Sequence, residues 1–393
     1  MAILNKNGAA LFFLFLAISI ISLIPFGRGN VSGLEVAFPF LVIATLCFSL
    51  NKVMKDESTT LILLFFLLWA AWGLLGITYS YFNYRGNVDH GAAYLRYIRL
   101  IEMYLPGVLI ITLTNGFKDK HLKMASWFFI LLFLLITLEA IFGFVLQIDS
   151  LIATQMYKYP GLGYVYRAGG VAKDSSAYSS LILIVGITSL IEVKRVSRSR
   201  LMFYLLLLMF LINIYLSMSR SLMVSSIIYI LLSSYYRGRI KPGSLLLSVL
   251  VVALIFVYGV NNEYISSFFN RIAASDSSGD VSSGRFATWS LLLGLIADNP
   301  ILGVGYRLST AKYDLIPDNM FLSLSVETGI IGLILYLSFF TSLSVFVYKK
   351  NKEKFALLMA YLASGCFIDI STFWVSIPVL FMSMVLYRNI NMP

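Results

Sequence analysis

Long apolar runs follow one another along almost the whole chain, separated by short polar breaks. They lie near 9–26, 34–50, 60–79, 98–114, 125–147, 176–193, 201–218, 220–236, 244–260, 320–347, 355–370 and 372–388. Each is long enough, or nearly so, to cross a bilayer as a helix, which predicts about twelve spans. The first run follows Lys6 and has no small-residue cleavage site after it, so it reads as a retained span rather than a signal peptide. The pattern predicts a single polytopic membrane domain, all-α, over 1–393.

Three polar intervals are longer than the rest. The first, 80–97, holds Tyr81, Tyr84, Arg85, Asp89, Tyr94, Arg96 and Tyr97. The second is 148–175, with the stretch YKYPGLGYVYRAGGVAKDSS. The third, 261–319, is the largest, and intervals of this length usually carry function or disorder. Within it, 274–284 is rich in Ser, Gly and Asp. Phe286, Trp289, Leu292, Leu293 and Ile296 then recur at helical spacing. They predict an amphipathic helix that lies on the membrane surface or caps an outer cavity like a lid. Asp298-Asn299-Pro300 stops it, and Gly303 and Gly305 allow a tight path.

Composition agrees: 59% of the 393 residues are hydrophobic and 12% are charged, far from a soluble domain. Cys47 and Cys366 both fall inside apolar runs and read as small core residues, with no disulfide framework. His90 and His121 are isolated, so no metal site is expected. There is no Walker lysine loop and no GxGxxG after a strand, which argues against an ATP-driven pump.

Charge fixes the expected orientation. One side holds Lys6; Lys52 and Lys55; Lys118, Lys120 and Lys123; Lys194, Arg195, Arg198 and Arg200; Arg237, Arg239 and Lys241; Lys349, Lys350, Lys352 and Lys354; and Arg388. The positive-inside rule makes that side cytoplasmic, with both termini there. The net charge of +11 needs no nucleic acid partner. The opposite side is built mostly from arginines: Arg28, Arg85, Arg96, Arg99, Arg167, Arg220, Arg271, Arg285 and Arg307, with Lys158, Lys173 and Lys312. The planar arginine fork suits phosphate and carboxylate, so this face suggests an anionic ligand. The competing explanation is that arginine tolerates partial burial better than lysine.

Several residues are candidates for chemistry. Arg220 lies between two apolar runs in Ser217-Met218-Ser219-Arg220-Ser221, where a charge needs a partner or a watery cavity. It reads as a phosphate clamp, or else as the mark of a helical hairpin turn. Arg96 and Arg99 share a helix face, and Arg99 has Glu102 three residues on, which leaves Arg96 for an anion. Arg167 follows Tyr166 and precedes Gly169-Gly170, where the backbone can approach a ligand closely. Tyrosines here can stack on sugars or sit in the interfacial belt. Asp318 precedes the run at 320–347 and reads as a helix cap, as a general base, or both. Asn319 is placed to hold a sugar hydroxyl or to fix Asp318. Asp276 and Asp280 read as a solvated loop. Glu139 and Asp369 fall inside apolar runs and are functional candidates on that ground.

Ser219-Arg220-Ser221, Gly284-Arg285 with Trp289, Asn299-Pro300 with Gly303-Val304-Gly305, and Asn319 with Gly329 and Gly332 occur in one order and spacing. Together they resemble the integral-membrane O-antigen polymerase/O-antigen ligase superfamily over about 220–335. The resemblance implies a GT-C-like membrane glycosyltransferase fold with a large periplasmic loop. It implies a bacterial inner-membrane location and undecaprenyl-pyrophosphate-linked oligosaccharides as donor and acceptor, with membrane lipid around them. It implies no cofactor and leaves room for a chain-length regulator. Ligases of this superfamily carry a histidine before the asparagine, where this chain has Asp318; this favours polymerase. The Arg-x10-Gly pattern described for polymerases is not found in 148–175 or 261–319. The expected site is Asp318 and Arg220 for catalysis, with Arg167, Arg285, Arg96, Arg307, Asn319, Tyr166 and Trp289 for substrate. A ligase and a lipid-linked oligosaccharide flippase are the alternatives; a flippase would spread polar residues through its spans, whereas here the charges gather at the edge.

Overall fold

The computed structural model describes residues 25–26, 31–32, 57–83, 90–113, 119–146, 154–159, 163–169, 174–197, 199–238, 285–373 and 376–386. The predicted spans at 34–50 and 244–260, and most of that at 9–26, lie outside them, as do Asp276 and Asp280. Pro25–Phe26 pairs with Val31–Ser32 as a two-residue antiparallel contact.

The described chain is mostly helical. Its helices are α1 (Glu57–Asn83), α2 (His90–Leu113), α3 (Asp119–Leu146), α4 (Ser175–Val196), α5 (Arg200–Ser217), α6 (Arg220–Tyr236), α7 (Arg285–Asp298), α8 (Leu308–Tyr313), α9 (Met320–Lys350), α10 (Lys352–Ser364) and α11 (Ser376–Val385). Five segments among the described residues, in α1, α3, α4, α5 and α9, are long and apolar enough to cross a membrane. The all-helical expectation gains one exception. Within the interval 148–175, β1 (Thr154–Tyr159) and β2 (Gly163–Ala168) form an antiparallel hairpin, with Thr154 opposite Ala168 and Tyr159 opposite Gly163.

Burial divides the helices. On α1, Leu61, Leu64, Leu68 and Leu75 are exposed while Ile62, Phe66, Trp69 and Ile77 are buried. An apolar helix with an exposed apolar face is what a lipid-facing helix requires. α4 is buried almost all round and forms the centre. It packs against α3, α5 and α11, while α9 packs along α1, α2 against α11, and α10 against α6. An aromatic column fills the space between α1, α2, α9 and α11. Trp69 sits 5.1 Å from Tyr336 and 5.4 Å from Tyr104 by ring centroid. The Tyr104 and Tyr336 hydroxyls meet at 3.0 Å, and Tyr97 donates to the Trp69 carbonyl at 3.0 Å. The column ends at Tyr306, 5.1 Å from Tyr97.

The basic loop ends assemble at one end of the bundle. Arg237 donates to Glu353 at 2.7 Å, tying the end of α6 to the start of α10. Lys354 lies 3.2 Å from Glu192, and Arg195 lies 3.0 Å from the other Glu192 oxygen, which also accepts from Ser126 at 2.8 Å. These contacts join α3, α4 and α10.

The predicted span at 355–370 is cut short. α10 stops at Ser364, because the Gly365 carbonyl accepts from Met320 N–H at 2.8 Å and Asp369 then caps a 3-10 turn, Ile370–Thr372. Cys366 consequently lies exposed in this turn and is not a core residue. The last span, expected over 372–388, is α11 and is shorter.

Candidate active site

The break in α9 organises the opposite end. Gly329 adopts φ 71° and ψ 177°, a conformation that glycine reaches without strain and other residues do not. The helix is thereby interrupted, and its freed carbonyls need donors. The 299–305 turn supplies them. Val304 N–H donates to the Val326 carbonyl at 2.8 Å and Gly305 N–H to the Glu327 carbonyl at 3.1 Å. Trp72 of α1 donates its indole N–H to the Thr328 carbonyl at 3.0 Å, and Ile330 N–H returns a bond to Pro300 at 2.8 Å. A Cβ on Gly329 would overlap the Ile301 carbonyl, and one on Gly303 would strike the backbone of Val326 to Gly329. The Asn-Pro…Gly-x-Gly and Gly-x-x-Gly motifs are thus two halves of one backbone joint.

α7 leads into this joint and packs on α9. Leu292 is buried and Trp289, Leu295 and Ile296 pack on the core, whereas Leu293 is exposed. At 100° per residue, 289, 292 and 296 share a face and 293 falls on its flank. The side chain of Arg285, at the start of α7, lies outside the described residues.

The joint ends at Arg307. This residue has φ 59° and ψ 9°, the left-handed region where a non-glycine residue is uncommon. Its guanidinium is 5.9 Å from the Tyr306 ring centre. Two residues earlier, Gly305 N–H donates to the backbone carbonyl of Glu327, a residue 1% exposed in α9. Burial works against the charge on Arg307, yet the carboxylates of Glu327 and Asp369, with Tyr306, overcome this and hold it above its ordinary range. Asp369 is half-buried and held by three donors: Ser323 Oγ at 3.0 Å, Ser371 N–H at 3.2 Å and Ser371 Oγ at 2.5 Å. Among the described residues, Glu327 Oε1 and the buried hydroxyls of Ser80 and Ser309 have no hydrogen-bond partner. The cluster is polar, buried below and open at Arg307.

A second group forms around the α5–α6 turn. Met218, at φ 46°, makes the turn tight, and Ser219 caps α6 with its hydroxyl 3.4 Å from Leu222 N–H and 2.8 Å from Ser221 Oγ. Arg220 is therefore the first residue of α6 and is half-buried at a helix N-terminus, an end that favours anions. Arg167, 7% exposed at the end of the hairpin, donates from Nε to the Ser217 carbonyl at 3.0 Å. Two arginines far apart in sequence thus reach one turn.

The remaining expected residues are placed as follows. Asn319, not Asp318, is the cap of α9: its Oδ1 accepts from Phe321 and Leu322 N–H at 2.9 and 3.1 Å. Its Nδ2 donates to the Cys366 carbonyl at 3.0 Å. Asp318 is the half-buried residue just outside the helix. Arg96 is exposed on α2. Tyr166 pairs with Met156 in the hairpin, and its side chain lies outside the described residues. Glu327 was not singled out by the sequence reading. An acidic residue two positions before a glycine inside an apolar run was the available signal.

A helical multi-pass membrane protein, with arginines at the α5–α6 turn and at the Gly329 joint, is the class that the fold and site define. Residues 204–337 match the O-antigen ligase family. The match supports the O-antigen ligase/polymerase superfamily and takes in Arg220, Arg307, Asp318, Asn319, Glu327 and Gly329. No curated protein matches the chain.

Proposed function

We propose that the protein is a polysaccharide polymerase of the bacterial inner membrane. It transfers a growing glycan from undecaprenyl pyrophosphate onto a lipid-linked repeat unit at the periplasmic face. The observation that carries this reading is the convergence of Arg167 and Arg220 on one turn at the end opposite the lysine-rich loops, with Arg307 at the Gly329 joint, within a chain that matches the O-antigen ligase family over 204–337. In this reading the lysine-rich end is cytoplasmic, both termini lie there, about twelve helices span the bilayer in a GT-C-like arrangement, and a chain-length regulator is a partner.

The donor's sugar–pyrophosphate bond is already activated, so no nucleotide is needed. The acceptor hydroxyl attacks the anomeric carbon, the bond to pyrophosphate breaks, and the hydroxyl proton passes to the Asp318 carboxylate. Negative charge collects on the leaving pyrophosphate, where Arg220, Arg307 and Arg167 stabilise it by charge-assisted bonds, with Arg285 and Arg96 as further candidates. Asn319 fixes the start of α9 and so the place of Asp318, while Tyr166 and Trp289 offer faces for sugars. Holding two lipid-linked sugars in line supplies much of the rate.

The match to a family described as O-antigen ligase favours a second reading, transfer of the glycan to lipid A–core. Deletion distinguishes the two: loss of a polymerase leaves lipopolysaccharide with single repeats, and loss of a ligase leaves none. For the site, purified Arg220→Ala, Arg220→Lys and Asp318→Asn proteins are given lipid-linked repeat units. Strong loss of chain extension is expected, and full extension by all three contradicts the assignment.

A further inference from the structure

The chain folds back on itself inside the bundle. Tyr336 donates its hydroxyl to the Met320 sulfur at 3.5 Å. In one straight helix, at about 1.5 Å per residue, these two residues would stand about 24 Å apart. The break at Gly329 therefore turns Met320–Thr328 back alongside the second half of α9. That second half, Ile330 to Lys350, is about 30 Å long and can cross the hydrocarbon core. The first half, about 13 Å long, descends from the level of Gly329, so the Asn319 cap lies well below that level.

A short hairpin rises to meet it. α10 has 13 residues, about 20 Å, and starts at Lys352 beside the end of α9. It stops about 10 Å short of a full crossing, where the Gly365 carbonyl accepts from Met320 N–H at 2.8 Å. α11 has 10 residues and runs back. Its Ser376 Oγ lies 3.4 Å from the Tyr361 hydroxyl, and its Ser383 Oγ accepts from Lys354 at 3.3 Å. α10 and α11 thus enter from the lysine-rich end and return to it. They take the place of two expected crossings, so the parity of the chain is unchanged.

The meeting point is polar. Asn319 Nδ2 donates to the Cys366 carbonyl at 3.0 Å, and Asp369 accepts from Ser323 Oγ at 3.0 Å and from Ser371 N–H at 3.2 Å. Asp318, Asp369 and Thr372 are half-buried and Cys366 is exposed. Irregular backbone and a carboxylate at this depth are tolerated against protein or water, not against lipid. The buried rings of Tyr104, Tyr336 and Tyr361 close the floor. Tyr104 and Tyr361 donate to the Ser371 and Ile370 carbonyls, both at 3.2 Å. Water reaches the turn from the other side, where the Gly329 joint and Arg307 stand.

We infer that this meeting point is a water-filled well, sunk about 10 Å below the level of Gly329, that receives the sugar hydroxyls of a lipid-linked repeat unit. Carboxylate, amide and hydroxyl groups suit hydroxyls, whereas arginines suit pyrophosphate. The sugar rests on the glycosyl-transfer reading; the well itself does not.

The test uses the full-length Cys47→Ser protein in lipid nanodiscs, with Cys366 as its remaining cysteine. A charged methanethiosulfonate reagent, which does not enter hydrocarbon, is expected to modify Cys366 readily. Lipid-linked repeat units are expected to slow this several-fold, and undecaprenyl pyrophosphate without sugar is not. Adding Asp369→Asn is expected to raise the repeat-unit concentration for half-protection by about tenfold, the scale of one hydrogen bond to a charged group. Failure of the charged reagent to modify Cys366, whether or not an apolar maleimide does, overturns the well. Equal protection by the sugar-free lipid, or no protection in protein that still extends chains, overturns the sugar site while the transferase reading stands. Absence of both protection and chain extension overturns the sugar site and the transferase reading together.

Discussion

Two buried charge clusters sit at opposite ends of this bundle, and they are built differently. At the lysine-rich end, Lys354 and Glu192 are 0% and 1% exposed and 3.2 Å apart, with Arg195 and Ser126 on the second Glu192 oxygen. Lys354 also reaches Ser383 of α11 at 3.3 Å. This cluster is closed on itself and joins α3, α4, α10 and α11. At the other end, Arg307 is half-buried at a strained turn, and the buried Glu327 Oε1 has neither a hydrogen bond nor, unlike Glu192 Oε1, an ion pair among the described residues. Opposite charges that meet each other in full hold helices together. Charges held apart and open on one side are prepared for something from outside.

The difference can be broken from either end. Lys354→Ala leaves Glu192 Oε1 without its cation, with Arg195 and Ser126 only on the other oxygen, and is expected to cost up to about 3–5 kcal/mol, read as a fall in thermal unfolding temperature in detergent. The paired change Glu192→Leu/Lys354→Met removes both charges and is expected to recover most of that loss; no recovery would mean the cluster does more than close the core. Gly329→Ala is next, because its positive φ and the Ile301 carbonyl both exclude a side chain. A loss of at least about 2 kcal/mol is expected, again by thermal unfolding, together with loss of chain extension as the joint opens. Asp369→Asn keeps the hydrogen-bonded turn but removes one charge facing Arg307. It is expected to lower chain extension by about tenfold with little change in unfolding temperature. Gly294→Ala is the smallest change. Nothing lies near its Cβ and it sits in α7, so a gain of about 0.5–1 kcal/mol is expected.

The sequence made most of the described helices legible because apolar runs and basic loop ends leave few alternatives. α1 to α6 and α9 lie on predicted runs. The prediction failed where helices end for tertiary reasons. α10 stops at Ser364 because Gly365 bonds Met320, a partner distant in sequence. The motif glycines were visible as a tight path, but that Gly303 and Gly329 touch the same backbone is a fact of packing. Arg220 and Arg167 could be named, whereas their convergence on the Ser217–Arg220 turn depends on how a hairpin folds back. Asp318 was read as a cap because aspartate favours that place. Asn319 took it, with two N–H groups to satisfy and the Cys366 carbonyl to reach. Glu327 was passed over because it hides inside an apolar run.

The central claim is that the open cluster carries chemistry and the closed one carries structure. Chain extension per folded molecule, measured on lipid-linked repeat units, tests it by comparing Arg307→Ala with Glu192→Leu/Lys354→Met. Extension should collapse in the first protein and persist in the second. Persistence in Arg307→Ala with collapse in the paired variant would contradict the account.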